Sequence, residues 1–125
     1  MKNNLKNGTK LISNGQEFKK LLNEYEFLFV LFSNENCGYC QIAENNINSV
    51  IDSFSNIELH VLKLGDAPEI FKEYNITSAP VIKLFKNGEA VYTGFGVRKP
   101  DDIYYQLNSF FSSGNSYFKE LAENK

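Results

Sequence analysis

Two cysteines separated by two residues carry the most distinctive chemistry in this sequence. Cys37 and Cys40 are the only cysteines among 125 residues, which excludes a scaffold built from several disulfides. In a reducing compartment, a pair at this spacing is typical of a redox-active dithiol or of part of a metal site. The choice between these two chemistries decides how the sequence is interpreted.

A zinc site is the first alternative, because two cysteines at this spacing occur in many zinc motifs that need four ligands. His60 is the only histidine in the chain. It stands in a predicted strand, where a partly buried side chain is more common than a ligand. We therefore expect no metal in a monomer, while an intermolecular site or a bound cluster stays open as an alternative.

The cysteine pair stands between a predicted strand and a predicted helix. The apolar run at 27–32 is too short for an independent helix and does not alternate, as expected of a strand buried on both faces. After Cys40, apolar residues recur at helical spacing, which predicts a helix of three to four turns with the cysteine pair at its N-terminus: Ala43, Ile47, Val50, Ile51 and Phe54. We expect Cys37 to be the N-cap of this helix, with its sulfur accepting the Cys40 N–H.

This position favours thiol chemistry, because a helix N-terminus stabilises a thiolate. Cys37 would be the exposed nucleophile, and Cys40 would be the more shielded resolving thiol one turn further in. Cys37 would attack a partner disulfide, and Cys40 would then displace the reduced partner from the mixed disulfide. The spacing and position together predict dithiol–disulfide exchange.

Strand and helix patterns alternate along the rest of the chain. A brief edge strand is predicted at 10–13. An amphipathic helix follows it, and Asn14 and Glu17 form a capping box at the start of this helix. Next come a predicted strand with Leu59, Val61, Leu62 and Leu64 and a short helix that begins at 66–69. A strand that begins at Pro80, an Asn87-Gly88 hairpin turn and a return strand at 90–95 follow. The last predicted helix has an apolar face made of Ile103, Tyr104, Leu107, Phe110 and Phe111.

The order β-α-β-α-β-α-β-β-α predicts an α/β fold with a central mixed sheet and helices on both faces. We expect one domain over 1–125, with a frayed stretch at 1–8 and a C-terminal extension at 112–125 that contains a weak helical pattern. The aromatic residues of the last helix, including Tyr105, are interpreted as a stripe that faces the core.

Composition excludes several classes of function. The chain has 13 Lys and Arg residues against 15 Asp and Glu residues, a net charge of −2, which does not favour binding to nucleic acid. The longest apolar run is far shorter than the roughly 20 residues that cross a bilayer. The polar stretch after Met1 lacks the apolar core of a signal peptide. We therefore expect a cytoplasmic protein that binds neither nucleic acid nor membrane.

A family resemblance rests on three further segments. The residues Tyr74-Asn75-Ile76-Thr77-Ser78-Ala79-Pro80 lead into Val81-Ile82-Lys83-Leu84-Phe85-Lys86-Asn87-Gly88-Glu89, and a glycine follows at Gly96. With Cys-Gly-Tyr-Cys at the start of a helix, the chain resembles the thioredoxins over residues 9–111. This resemblance implies a thioredoxin-like three-layer sandwich and a cis bond between Ala79 and Pro80. It also implies a groove that pairs with an extended substrate segment, formed by Asn36, Gly38, Tyr39, Ala79, Pro80, Phe95 and Gly96.

The resemblance implies a monomeric oxidoreductase that reduces protein disulfides without a cofactor and is itself reduced by an upstream disulfide reductase. Two alternatives stay open. One is a thioredoxin-fold binding module with secondary redox activity. The other is a variant that acts as an oxidant or an isomerase, since the direction of exchange depends on the reduction potential.

Four positions depart from the usual thioredoxin pattern. Asn36 stands in place of a tryptophan and Tyr39 in place of a proline, which changes the predicted groove. Leu31 stands in place of a buried aspartate and Val61 in place of a lysine, so the family's proton relay to the resolving thiol is missing. Glu35 and Glu44 lie close to the motif and are interpreted as solvated surface residues.

Overall fold

The computed structural model describes residues 9–111, so the predicted frayed stretch at 1–8 and the extension at 112–125 lie outside the described residues. Its strands and α-helices are β1 (Lys10–Leu11), α1 (Gly15–Glu24), β2 (Phe27–Ser33), α2 (Gly38–Asn48), β3 (Leu59–Lys63), α3 (Pro68–Glu73), β4 (Val81–Lys86), β5 (Glu89–Phe95) and α4 (Pro100–Phe111). Short 3₁₀ helices at Ile51–Ser53 and Leu64–Asp66 flank β3. Within residues 9–111, no helix has the length and apolar character needed to cross a membrane.

The five strands form one mixed sheet in the order β1-β3-β2-β4-β5. Parallel pairing joins β1 to β3 and β3 to β2, whereas β4 and β5 are antiparallel to their neighbours. The central strand β2 is buried from Leu28 to Ser33. The predicted element order and the α/β fold are therefore confirmed.

Alternation along β2 divides the core into two layers, because successive side chains of a strand point to opposite faces. Phe29 and Leu31 pack against α2 and α4 on one face. Leu28, Val30 and Phe32 pack with residues of α1 and α3 on the other face. This burial on both faces explains why the strand is a continuous apolar run in the sequence.

Local hydrogen bonds confirm the predicted start of α1. The Glu17 N–H donates to Asn14 Oδ1 at 2.8 Å, and the Glu17 carboxylate accepts the Ser13 N–H at 2.6 Å. The hairpin between β4 and β5 is also as predicted. Asn87 and Gly88 have φ values of 51° and 87°, and both must be positive in a type I′ turn.

The helix that begins at the cysteine pair has the predicted length, since α2 spans 11 residues, or about three turns. It ends at Asn48, before Val50, Ile51 and Phe54 of the predicted apolar face, because the Val50 N–H donates to the Ile47 carbonyl three residues back and tightens the chain. Ile51 and Phe54 still reach the core from outside the α-helix. Leu64, predicted as part of a strand, lies in the 3₁₀ helix after β3 and is exposed.

The prediction that the aromatic residues of α4 face the core is wrong in part. Tyr105 is 71% exposed and Tyr104 is 44% exposed. Ile103 and Leu107 take the core-facing positions, and Tyr105 lies two residues from each of them, on the opposite side of the helix. Phe110 and Phe111 pack against the core.

His60 on β3 is buried, with 4% of its surface exposed, and the Tyr25 ring packs edge-on against it at 5.7 Å. Among the described residues, no group hydrogen-bonds to His60 Nδ1. Burial lowers the pKa of His60 below its usual value of 6.5, although Glu58 and Glu17 oppose the effect and Lys10 adds to it. The folded protein therefore takes up this proton less readily than the unfolded chain does.

We expect the free energy of unfolding to fall as the pH drops below the unfolded-state pKa of His60, because the unfolded chain then binds a proton that the folded protein excludes. Urea unfolding between about pH 7.5 and about pH 5.5 measures this slope. His60→Gln should have a flatter profile over the same range. Equal slopes in the two proteins would mean that other groups cause the pH dependence.

Candidate active site

The two cysteines form a disulfide at the start of α2. Cys37 is the N-cap residue, with extended φ and ψ angles of −113° and 103°, and its Sγ accepts the Cys40 N–H at 3.1 Å. The two Cα atoms are 5.2 Å apart. The cap and the hydrogen bond predicted from the sequence are confirmed.

The chain reaches this cap through a tight loop after β2. Ser33 ends the buried strand, and Asn36 has a φ of 53°, a left-handed conformation that asparagine adopts more readily than most residues. The loop reverses the chain, so α2 begins at the carboxyl end of the central strand. The disulfide therefore lies at one end of the rigid sheet.

The two sulfur-bearing residues differ in accessibility. Cys37 is partly exposed, whereas Cys40 is only 3% exposed. An approaching molecule can thus reach Cys37 but not Cys40. The structure therefore shows the predicted difference in accessibility between Cys37 and Cys40.

The start of β4 lies at the same end of the sheet. Val81 pairs with Phe32 of β2 and with Phe95 of β5, and the bond between Ala79 and Pro80 is cis. The Gly96 N–H donates to the Pro80 carbonyl at 2.9 Å. The structure thus places Ala79, Pro80, Phe95 and Gly96 together beside the strand that leads to the cysteines.

Exposed aromatic side chains occur on both parts of this predicted groove. Tyr39, between the cysteines, is 70% exposed, and Phe95 at the end of β5 is 71% exposed. Gly96 has a φ of 75°, a backbone conformation that disfavours a side chain. Asn36 and Gly38, beside Cys37, are exposed as well.

A polar cavity of about 430 Å³ lies beside the cysteine pair. Both cysteines line it, together with residues from the loop after β2, from α2 and from β3: Ser33, Asn34, Glu35, Asn36, Gly38, Gln41, Glu44, Val61 and Lys63. Lys63 Nζ lies 3.4 Å from a carboxylate oxygen of Glu35. Within residues 9–111, no cluster of three or more His, Cys, Asp or Glu side chains could hold a metal ion.

Two charged residues that line this cavity, Glu44 and Lys63, were not predicted from the sequence to do so. Glu44 was interpreted as a solvated surface residue, but it is partly buried and lines the cavity, whereas Glu35 is 67% exposed at its side chain as expected. No site role was predicted for Lys63. The alternation of side chains along a strand could have indicated its position, because Lys63 lies two residues beyond Val61 on the same face of β3.

Comparison with known proteins places these features in a family. The Thioredoxin family model matches residues 9–109. The chain belongs to the thioredoxin family. It is 33% identical over 89 residues to Thioredoxin-2 of Pyricularia oryzae, a match that covers 71% of this chain and 52% of the relative. It is 29% identical over 84 residues to Thioredoxin H2 of Arabidopsis thaliana, covering 67% of this chain and 63% of that protein. The chain thus spans between half and two thirds of these two relatives.

Solved thioredoxins share the fold. A mutant thioredoxin from Halobacterium salinarum superposes with a TM-score of 0.73 at 16% identity, covering 83% of this chain and 91% of that one. The oxidised thioredoxin of Plasmodium falciparum has a TM-score of 0.69 at 26% identity, covering 79% and 93% of the two chains. These similarities confirm the thioredoxin-like sandwich.

This thioredoxin family member has an apolar contact at the expected site of the proton relay. Leu31 is fully buried, Val61 is 4% exposed, and the two residues are register partners on β2 and β3. Neither side chain can exchange a proton. Any acid or base that serves Cys40 must therefore come from another position.

In the reduced protein, we expect a limiting amount of iodoacetamide to label Cys37 well before Cys40, because only Cys37 is accessible and a helix N-terminus favours its thiolate. Peptide mass mapping after a brief reaction identifies the labelled cysteine. Unfolding the protein in urea should abolish the preference. Labelling of Cys40 first in the folded protein would reverse the two roles.

Proposed function

We propose that the protein is a thiol–disulfide oxidoreductase that reduces disulfides in other proteins. The observation that carries this proposal is a disulfide between a partly exposed Cys37 at a helix N-terminus and a buried Cys40. Membership of the thioredoxin family supports the same reaction.

In the proposed reaction, the Cys37 thiolate attacks one sulfur of the substrate disulfide. A mixed disulfide forms, and the other substrate sulfur leaves as a thiolate that takes up a proton. Cys40 then attacks the Cys37 sulfur, which forms the intramolecular disulfide and releases the second substrate thiol. Two electrons pass from the cysteine pair to the substrate, so the reaction needs no cofactor.

The substrate would bind as an extended segment beside the cis proline. The Ala79 backbone and the turn at Phe95 and Gly96 offer the surface for such pairing, a mode in which backbone hydrogen bonds supply affinity. Tyr39 and Phe95 are exposed at this end of the sheet. We propose that they contact apolar side chains next to the substrate disulfide.

Turnover of a disulfide substrate tests the function. With dithiothreitol as the reductant, the protein should reduce many equivalents of a disulfide-bonded protein such as insulin, and precipitation of the freed insulin chains reports the rate. A binding module would form a stoichiometric complex without exchange. An oxidant or isomerase would show a reduction potential well above the thioredoxin value of about −270 mV, and equilibration with a glutathione buffer measures that potential.

We further propose that the whole chain forms one monomeric domain that acts in the cytoplasm. A reducing compartment suits a cysteine pair that must be returned to the dithiol form, and an upstream disulfide reductase would supply the electrons. Fractionation of the source cells and capture of the reductase on a Cys40→Ser variant test the location and the partner.

A further inference from the structure

We infer that Glu44 accepts the proton that Cys40 loses in the second exchange step. This inference rests on the proposed function, since it concerns the resolving reaction of the same cysteine pair. It starts from a chemical requirement. Burial disfavours the charged form of a thiol, so a shielded cysteine that must attack as a thiolate needs a proton acceptor nearby.

Leu31 and Val61, which the family resemblance assigns to the relay positions, cannot meet this requirement, because both are buried and apolar. The two carboxylate side chains that line the cavity beside the cysteine pair belong to Glu35 and Glu44. With Lys63 and the two cysteines, they make up the ionisable groups that line this cavity in the described part of the chain. The choice of acceptor is therefore between two glutamates.

The helix geometry favours Glu44. Cys40 and Glu44 are four residues apart on α2, so they share one face with Cβ atoms about 5–6 Å apart. Both residues line the cavity, whose volume of about 430 Å³ exceeds the roughly 30 Å³ share of one water molecule. A proton can thus pass from Cys40 Sγ to the Glu44 carboxylate through water held between them.

Glu35 is less suitable. It lies in the loop after β2, outside the helix that carries Cys40, and its side chain is 67% exposed. Glu44 is partly buried and belongs to the same rigid helix as Cys40.

Atoms and electrons balance in the proposed step. The Cys40 thiol gives its proton to Glu44, and the resulting thiolate attacks Cys37 Sγ. The bond between the two cysteine sulfurs forms while the bond from Cys37 to the substrate sulfur breaks. The substrate leaves with the electron pair of that bond, and Glu44 or solvent returns a proton to it.

One reagent measures both exchange steps. Reduced protein mixed with 5,5′-dithiobis(2-nitrobenzoate) should release the coloured thiolate twice, first when Cys37 attacks and again when Cys40 resolves the mixed disulfide. Stopped-flow traces across about pH 6 to about pH 9 give the two rates. The variants are Glu44→Gln and Glu44→Asp, with Glu35→Gln as the matched removal of the other carboxylate.

We expect Glu44→Gln to slow the second release at neutral pH by about tenfold or more and to make it rise more steeply with pH, while the first release keeps its rate. Glu44→Asp should recover part of the loss, and Glu35→Gln should have a much smaller effect. Unchanged thermal unfolding would show that the fold is intact.

Two results would overturn the inference while leaving the proposed function in place. One is a second release in Glu44→Gln with the rate and pH profile of the wild type. The other is an equal slowing by Glu35→Gln, which would mean that the combined negative charge of both glutamates, and not one proton acceptor, sets the rate of the second release. Failure of the wild type to react at Cys37 or to turn over insulin would instead remove the proposed function, and the inference with it.

Discussion

Cys37→Ser is expected to lose turnover of disulfide substrates by about 10³-fold or more, because serine cannot form the mixed disulfide. Cys40→Ser should also lose turnover, but for a different reason. Its Cys37 can still attack, and the mixed disulfide then persists because no thiol resolves it. The two variants differ from the wild type by one atom each, so the fold should be preserved.

Non-reducing electrophoresis after incubation with insulin distinguishes the two variants. Cys40→Ser should show a covalent adduct that dithiothreitol removes, whereas Cys37→Ser should show none. A double variant that lacks both sulfurs is the control for non-covalent binding. An adduct that forms with Cys37→Ser would mean that Cys40 can reach substrate despite being 3% exposed.

Phe18→Ala is expected to have the largest effect on stability, a loss of about 3–5 kcal/mol in the free energy of unfolding. Phe18 is fully buried on α1, and its ring meets those of Phe32, Tyr74 and Phe85 edge-on at centroid distances of 6.1, 5.9 and 5.6 Å. Removing it leaves a cavity and breaks three aromatic contacts. Since domains of this kind are stable by only about 5–15 kcal/mol, the loss is large.

Urea unfolding of the oxidised protein measures this effect. Tyr105→Ala is the matched control, because it also removes an aromatic ring but from a side chain that is 71% exposed, and it should change stability by less than about 0.5 kcal/mol. Similar losses in both variants would show that exposure in the structure does not determine the contribution of an aromatic ring to stability here.

The parts of the site that the sequence predicts well depend on local interactions. The Cys37 cap involves residues three apart, and the hairpin turn needs two adjacent residues with positive φ. Such features are determined by residue type and spacing. The same reasoning located the central strand, because burial on both faces removes polar residues from β2.

The missed features depend on contacts between elements. Whether Glu44 is solvated or lines a cavity depends on how closely α2 approaches the end of β3, which no pattern within the helix reports. Lys63 reaches that cavity only because β3 and β2 pair in the register that sets Ser33 beside it. On α4, Ile103 and Leu107 are the residues buried in the core, although the number of aromatic residues in this helix suggests a wider buried face.

The unequal exposure of the two sulfurs also affects the kinetic order of the reaction. In the oxidised protein, an incoming reductant can approach only Cys37, the same residue that we propose attacks the substrate in the reduced protein. Substrate and reductant therefore compete for one position and cannot be bound covalently at the same time. Turnover should follow double-displacement kinetics, with parallel lines in reciprocal plots when one reactant is varied at several concentrations of the other.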